Sequence, residues 1–405
     1  MKLIGDLRDL RKLSLLFSLS ILANSSSLGD ILSKNRIDLI EAQSQKSKIE
    51  AKKLENSWIN PIRVEYSKNY STQFNSTTST GQFVISVNQP IFKMGGILEA
   101  IDYARALGRV NELDIELQKQ SLITNALEIL FNLRRAKLNR DKLKLLIQND
   151  ELDIIIQKSN YEAGVSNRTL YDKALLKRNQ DKTSLLDLEM SIEKLRADFR
   201  LLSDKDPEEI ELPTFSMIDR DRYINSNLEL QKGKSKIEEQ LHNYKMVRTK
   251  YLPELSINGR YVDEDKNPLF ASANIKSRYY TYGFSVSIPI SINSIRDIES
   301  SKIDYLNSQI EQDETKKSIL NEYLLTKKRV EIIKKKIELS KDDELSYLNI
   351  YESSKELELA GDGTSYETQI AKNSANIRAL DQKIYAIDME LELLKLYAKV
   401  ANAYR

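Results

Sequence analysis

The chain has 405 residues, 30% of them charged and 40% hydrophobic, with only 12 glycines and 7 prolines. That balance excludes a loop-rich or collagenous protein and favours long uninterrupted elements. Lys+Arg (62) and Asp+Glu (60) nearly cancel, which removes the basic footprint of a nucleic-acid binder. Without cysteine there are no disulfides, thiolate metal sites or thiol nucleophiles.

In chain order, residues 1–25 read as a signal peptide for export. Lys2, Arg8, Arg11 and Lys12 precede an apolar run from Leu13 to Ala23, and Ala23-Asn24-Ser25 offers small residues for cleavage. No later stretch approaches the roughly 18 apolar residues of a membrane helix. A chain that enters a membrane after export must then do so as strands.

A first repeat, residues 26–203, opens with a helix from about Leu28 to Trp58. In the strand pair of residues 61–92, Ile62, Val64, Tyr66 and Tyr70 alternate with Arg63, Glu65, Ser67 and Asn69, and Phe83, Ile85 and Val87 with Val84, Ser86 and Asn88. Period two with one apolar and one polar face predicts half-buried strands of bilayer-crossing length. Ser71 to Thr80 reads as the polar loop between them. A helix from Ile97 to Tyr161 follows, about 100 Å long at the α-helical rise. A turn near Gly164 then leads into a shorter helix, Asn167 to Leu202. Residues 204–218, with Pro207 and Pro213, read as an equatorial linker.

The second repeat, residues 219–405, has the same order. It runs from a helix at Arg220 to Lys250 through strands in residues 253–290, a long helix at Ile295 to Leu359 and a turn near Gly361 to a helix at Ser365 to Ala403. In the strands, Leu255, Ile257 and Tyr261 oppose Ser256, Asn258 and Arg260. Tyr280, Tyr282, Phe284, Val286, Ile288 and Ile290 alternate with Thr281, Gly283, Ser285 and Ser287, and Glu264 to Ser277 reads as a loop. Ile319, Tyr323, Thr326, Val330, Ile333 and Ile337 step by four and three, the rhythm of a coiled-coil seam, and Ile303, Leu306 and Ile310 keep it. Each pair of short helices, stacked end to end, matches one long helix in length.

The expected fold is therefore mainly α with a membrane β-barrel portion, built on a duplicated helix-strand-strand-helix-helix unit. Four strands cannot close a barrel without leaving edges bare in lipid, so a homotrimer with 12 strands is expected, continuing into an α-helical barrel of coiled-coil hairpins. Tyr66, Tyr70, Tyr261, Tyr279, Tyr280 and Tyr282 suit an interfacial aromatic belt, and Trp58 suits its opposite border. His242, the only histidine, reads as a solvated surface residue, and nothing suggests a catalytic site, a cofactor or a metal.

Three landmark sets, repeated in order, carry a resemblance. They are Leu252-Pro253-Glu254-Leu255 at a strand entry, Asn88-Gln89-Pro90-Ile91-Phe92 with Gly95-Gly96 at a strand exit, and Tyr161-Glu162-Ala163-Gly164 at a helix turn. With them the mature chain resembles the TolC-like outer-membrane efflux proteins. The second repeat departs from that pattern at Ile288-Pro289-Ile290-Ser291 and Asn293-Ser294, where the family usually has an aromatic and a glycine pair.

The resemblance implies a passive trimeric exit duct in the outer membrane of a Gram-negative bacterium, extending into the periplasm and serving efflux or type I secretion. It also implies docking onto a periplasmic adaptor (membrane fusion) protein and, through it, an inner-membrane transporter. Arg63, Glu65, Ser256, Arg260 and Ser285 would line the barrel lumen. Gly164, Val165, Ser166, Gly361, Asp362 and Gly363 would form the docking tips. Glu367 and, more weakly, Asp172 would ring the closed aperture, while Ile370 departs from the family's second acidic position. A periplasmic adaptor or a structural coiled-coil envelope protein is the alternative, distinguished by having one hairpin, or no bilayer-length strands.

Overall fold

In the computed structural model the described residues are 31–73, 76–264 and 278–401. The proposed signal peptide lies outside them, as does most of the Glu264 to Ser277 loop. Seven helices and four strands are described: α1 (Lys34–Glu55), β1 (Arg63–Gln73), β2 (Ser76–Phe92), α2 (Gly96–Glu162), α3 (Arg168–Arg200), α4 (Arg220–Ser226), α5 (Leu228–Thr249), β3 (Glu254–Glu264), β4 (Arg278–Ser287), α6 (Ser294–Ala360) and α7 (Ser365–Tyr397). The duplication extends to element length: α1 and α5 have 22 residues each, α2 and α6 have 67, α3 and α7 have 33.

The helices stand in four columns. α2 packs against α1 and α3 on one side and against α5 and α7 on the other, and α6 packs beyond α5 and α7. α3 ends where α1 begins, since the amide of Ser33 donates to the carbonyl of Leu202 at 2.8 Å. The second repeat joins in the same way: the Leu228 amide donates to the Lys399 carbonyl and the Ala401 amide to the Ser226 carbonyl, both at 2.9 Å. Each pair of short helices thus makes a composite column beside a long one.

This junction corrects two sequence boundaries. The helix expected from Arg220 to Lys250 breaks at Asn227, which is extended (φ −71°, ψ 120°), caps α5 by accepting from the Leu230 amide, and forms a bridge to Val400. The last helix stops at Tyr397, because the residues after it leave the helix to pair with that break.

The apolar core is densest at mid-height, around these joints. Ile31, Leu32, Ile123, Leu127, Phe131, Phe199 and Leu394 form one buried cluster, with Ile210, Leu212 and Phe215 of the equatorial segment packed against it. Ile218, Tyr223, Ile319, Tyr323 and Leu396 form a second. There Tyr223 and Tyr323 stack at 5.5 Å, and the Tyr323 hydroxyl donates to the Ile218 carbonyl at 2.9 Å.

Ile319, Tyr323, Thr326 and Val330 are buried as the seam predicts. Ile303, Leu306 and Ile310 are exposed instead. They lie on the opposite side of α6, away from α5 and α7, so this helix carries two opposed apolar stripes and satisfies one.

Strands pair antiparallel in the order β1-β2-β3-β4, leaving β1 and β4 as open edges. The first hairpin is longer than the alternation predicts: β1 pairs with β2 up to Gln73↔Ser76, so most of the expected Ser71 to Thr80 loop is strand. Conversely β4 ends at Ser287. Ile288 and Ile290 lie outside the strand, and Pro289 has no amide hydrogen for a ladder.

The equatorial segment is held partly by charge. Lys137 of α2 and Arg196 of α3 both donate to Glu208, the latter at 3.1 Å, and the bond from Lys137 in particular holds this carboxyl below its usual range. A depressed carboxylate pKa contributes stability above its unfolded value and loses it as pH falls through the folded one. The variant Glu208→Gln should therefore unfold at lower denaturant than the parent at neutral pH. That gap should close on acidification below the ordinary glutamate range.

Candidate functional site: a two-faced sheet and two helix turns

Directly opposed residues in adjacent antiparallel strands lie on the same face, so the register sorts the sheet without ambiguity. One row runs Val64↔Ile85↔Tyr261↔Tyr280, and the next toward the helices contains Val87↔Gly259↔Tyr282. Phe284 lies opposite Ile257, and Val286 opposite Leu255. This face is apolar and bare: Tyr280, Tyr282 and Phe284 are 74%, 84% and 77% exposed. Tyr66 lies in the row Tyr66↔Phe83↔Asp263↔Arg278, where Arg278 pairs with Asp263 at 3.0 Å. Lys68 and Tyr70 stand beyond it, with the ammonium 5.9 Å from the ring centroid. Tyrosines thus lie where the apolar face gives way to charge.

The other face carries the row Arg63↔Ser86↔Arg260↔Thr281, with Asn88↔Asn258↔Gly283 on the helix side and Glu65↔Val84↔Val262↔Tyr279 on the far side. Ser256 and Ser285 oppose one another nearer the helices. All five residues expected to line a lumen share this face. It is not wholly polar, since Val262 is completely buried between Val84 and Tyr279 in its row. Tyr279, expected in the aromatic belt, is on this face rather than with the other tyrosines.

Trp58 is partly buried at the foot of the sheet. It borders a hollow with Pro90, Ile97, Met246 and Val247, and its carbonyl accepts from the Gln89 side chain at 3.0 Å. Its observed contacts are packing between helix and strand. His242 is not a free surface residue: Nδ1 lies 2.7 Å from a carboxylate oxygen of Glu99, tying α5 to α2.

At the opposite end of the molecule the two helix turns share one geometry. Gly164 and Gly361 are left-handed, with φ 76° and 82°. In the first turn the amide of Gly164 donates to Tyr161 and that of Val165 to Asn160. In the second, Gly361 donates to Glu358 and Asp362 to Leu357. This pair of reversed bonds satisfies the last carbonyls of a helix and needs a residue without a Cβ. Val165 is 78% exposed and Asp362 is also exposed, so the equivalent tip position is apolar in the first repeat and acidic in the second. Ser166 and Gly363 follow in equivalent places, each donating its amide to the same carbonyl as the residue before it.

The next helices begin with side-chain caps, Asn167 on α3 and Thr364 on α7. Glu367 completes a capping box: its carboxylate accepts from the Thr364 amide at 3.3 Å and hydroxyl at 3.1 Å. Asp172 pairs with Arg168 at 3.5 Å. Both carboxylates are exposed, and no contact brings them together.

Sequence reasoning missed a set of polar links above the tips, between α2 and its neighbours. Asp381 of α7 is buried and accepts from Lys142 at 2.6 Å and Arg378 at 3.1 Å, and Asn373 donates to Asn149 at 2.8 Å. Asp150, also buried, pairs with Lys177 of α3. Burial raises the Asp150 carboxyl, while its bond raises the Lys177 ammonium. The attraction of Lys177 thus opposes, without cancelling, the desolvation of the Asp150 carboxyl. Among so many helical charges, no sequence signal distinguishes these from solvated ones.

Glu and Gln both serve in a capping box. Glu367→Gln should accordingly leave amide protection in the first turn of α7 unchanged, whereas Thr364→Ala should lose about 1 kcal/mol there and speed hydrogen exchange several-fold.

The sequence matches no protein-family model and no curated protein. Solved structures are similar across almost the whole chain. The Campylobacter jejuni CmeC outer membrane channel aligns with TM-score 0.73 at 15% identity, over 95% of this chain and 90% of that one. The outer membrane protein VceC of Vibrio cholerae aligns with TM-score 0.72 at 12% identity, over 91% and 94%. The open state of the Neisseria gonorrhoeae MtrE outer membrane channel gives 0.69 at 11%, over 92% and 93%. The chain has the fold of the TolC-like outer-membrane channels.

Proposed function

We propose that three copies of this chain form an exit duct in the outer membrane of a Gram-negative bacterium, working as the outer component of a tripartite efflux or type I secretion system. One observation carries the reading: a four-stranded sheet whose apolar face is bare and whose two edges are unpaired. Aromatic side chains each offer about 150–250 Å². At about 25 cal/mol per Å², leaving Tyr280, Tyr282 and Phe284 in water forgoes about 10 kcal/mol, comparable to the whole stability of many domains. Lipid takes up that face, and closure with two further copies pairs β4 with the next β1 in a 12-stranded barrel. No helix among the described residues is long and apolar enough to cross a membrane, so the strands carry the membrane contact.

The helical columns support the same closure. Leu306 and Ile310 on the free side of α6, and Leu186 and Met190 on the free side of α3, are exposed apolar residues on the two outer columns. Placed edge to edge, three copies cover both stripes and complete a helical cylinder in the periplasm. In this arrangement the face with Arg63, Glu65, Ser256, Arg260 and Ser285 lines the lumen. Tyr66, Tyr70, Tyr261, Tyr280 and Tyr282 face lipid, and the turns at Gly164 and Gly361 form the far tip. There Val165, Ser166, Asp362 and Gly363 are offered to a periplasmic adaptor linked to an inner-membrane transporter. Glu367 and Asp172 remain candidates for the aperture, Glu367 with its capping contact retained. The duct is passive and carries out no covalent chemistry. The adaptor alternative fits less well, because it leaves the second hairpin and the bare sheet face without a role.

Neighbouring residues on opposite faces provide the test. Phe284→Arg should cost about 2–4 kcal/mol when the protein folds into lipid vesicles, whereas Ser285→Arg should cost little and alter conductance in planar bilayers. Equal tolerance at both positions, or a parent protein that stays soluble and monomeric without detergent, would falsify the duct.

A further inference from the structure

We infer that the polar face of the sheet holds an anion-binding hollow built on Arg63 and Arg260. It takes carboxylate or phosphate groups, and in the proposed duct it acts as a station for anionic cargo. Its role in transport rests on the duct reading; its binding chemistry does not.

The two arginines share the row Arg63↔Ser86↔Arg260↔Thr281. With one strand between them, their backbones are about 10 Å apart, so both side chains can lean over Ser86 toward one small polyanion. Together with Asn88, Asn258 and Thr281 they line a hollow of about 710 Å³. Each guanidinium offers five donors in a planar fork that matches two oxygens of a carboxylate or phosphate. The asparagine amides and the two hydroxyls add neutral donors beneath.

Two other cations at the sheet are already paired, and Lys68 lies on the opposite face against the Tyr70 ring. Lys93 is committed to Glu254 at 3.2 Å and Arg278 to Asp263 at 3.0 Å. Arg63 and Arg260 are exposed and, among the described residues, form no ion pair. Glu65 is the one carboxylate in the two adjoining rows, set against two guanidinium groups. Charges left unmatched on the wall of a narrow, low-dielectric passage concentrate counter-ions of opposite sign. A closed trimer would carry three such hollows around its threefold axis.

The test uses the full chain in detergent and two probes, inorganic pyrophosphate and citrate, followed by broadening of their phosphorus and carbon resonances. Broadening by pyrophosphate alone would specify phosphate groups, by citrate alone carboxylates. Arg63→Gln and Arg260→Gln should each weaken binding about tenfold, and the double Arg→Lys variant should retain part of it. Glu65→Gln should tighten binding several-fold, a gain that damage to the fold does not mimic. No broadening of either probe by the parent, or undiminished broadening by the double Arg→Gln variant, overturns the inference. Conductance of the same variants in planar bilayers reports separately on the duct. Pores that open normally while anion binding is unaffected by the arginines would sink the hollow and leave the duct standing.

Discussion

An antiparallel sheet with bare edges and one oily face is incomplete as a single chain, and this incompleteness organises the rest of the molecule. β1 and β4 each have one side of their backbone unpaired, which lipid cannot satisfy and water satisfies only with Tyr282 and Phe284 left exposed. The helices repeat the same deficit at larger scale. Strand order β1-β2-β3-β4 corresponds to column order α1, α2, α5, α6, because each strand joins directly to the helix that continues it. Sheet and helical layer therefore end at the same two edges, and in the proposed duct one closing operation would satisfy both.

Within the layer, helices differ by how many sides they bury. α2 has neighbours on both sides, so its apolar residues are divided between two seams. α6 has the same two-sided pattern and one neighbour, leaving Ile303, Leu306 and Ile310 in solvent. Stability is concentrated at mid-height, where the short helices abut and the equatorial segment covers Phe131 and Phe199. Toward the tips, polar links through Asp381, Asn373 and Asp150 are interspersed among buried apolar residues such as Ile147 and Ile377. Such contacts depend on geometry and hydration more than apolar packing does.

Much of this was readable in advance, for reasons that can be named. Alternation over Tyr280 to Val286 identified a strand and its oily face, because period two has no other common structural source. The four-three steps from Ile319 to Val330 identified a seam, and Gly164 and Gly361 marked turns that need positive φ. The capping box of Thr364 and Glu367 is also legible as a Thr-x-x-Glu pattern ahead of a helix. His242 looked solvated because its partner, Glu99, lies far away in the chain. The break at Asn227 was hidden for the same reason, since residues 399–401 supply the hydrogen bonds that make it worthwhile.

From the sequence alone came the type of the main elements and the two faces of the strands, because periodicity, caps and breakers act within one segment. Tertiary structure alone decided which of α6's two apolar stripes is covered, how the abutting helices are joined, and which charges remain unpaired. Arg63 and Arg260 are almost two hundred positions apart and are brought into one row by the register of three strands. Register is the joint outcome of every pairing in between, so no local pattern encodes it.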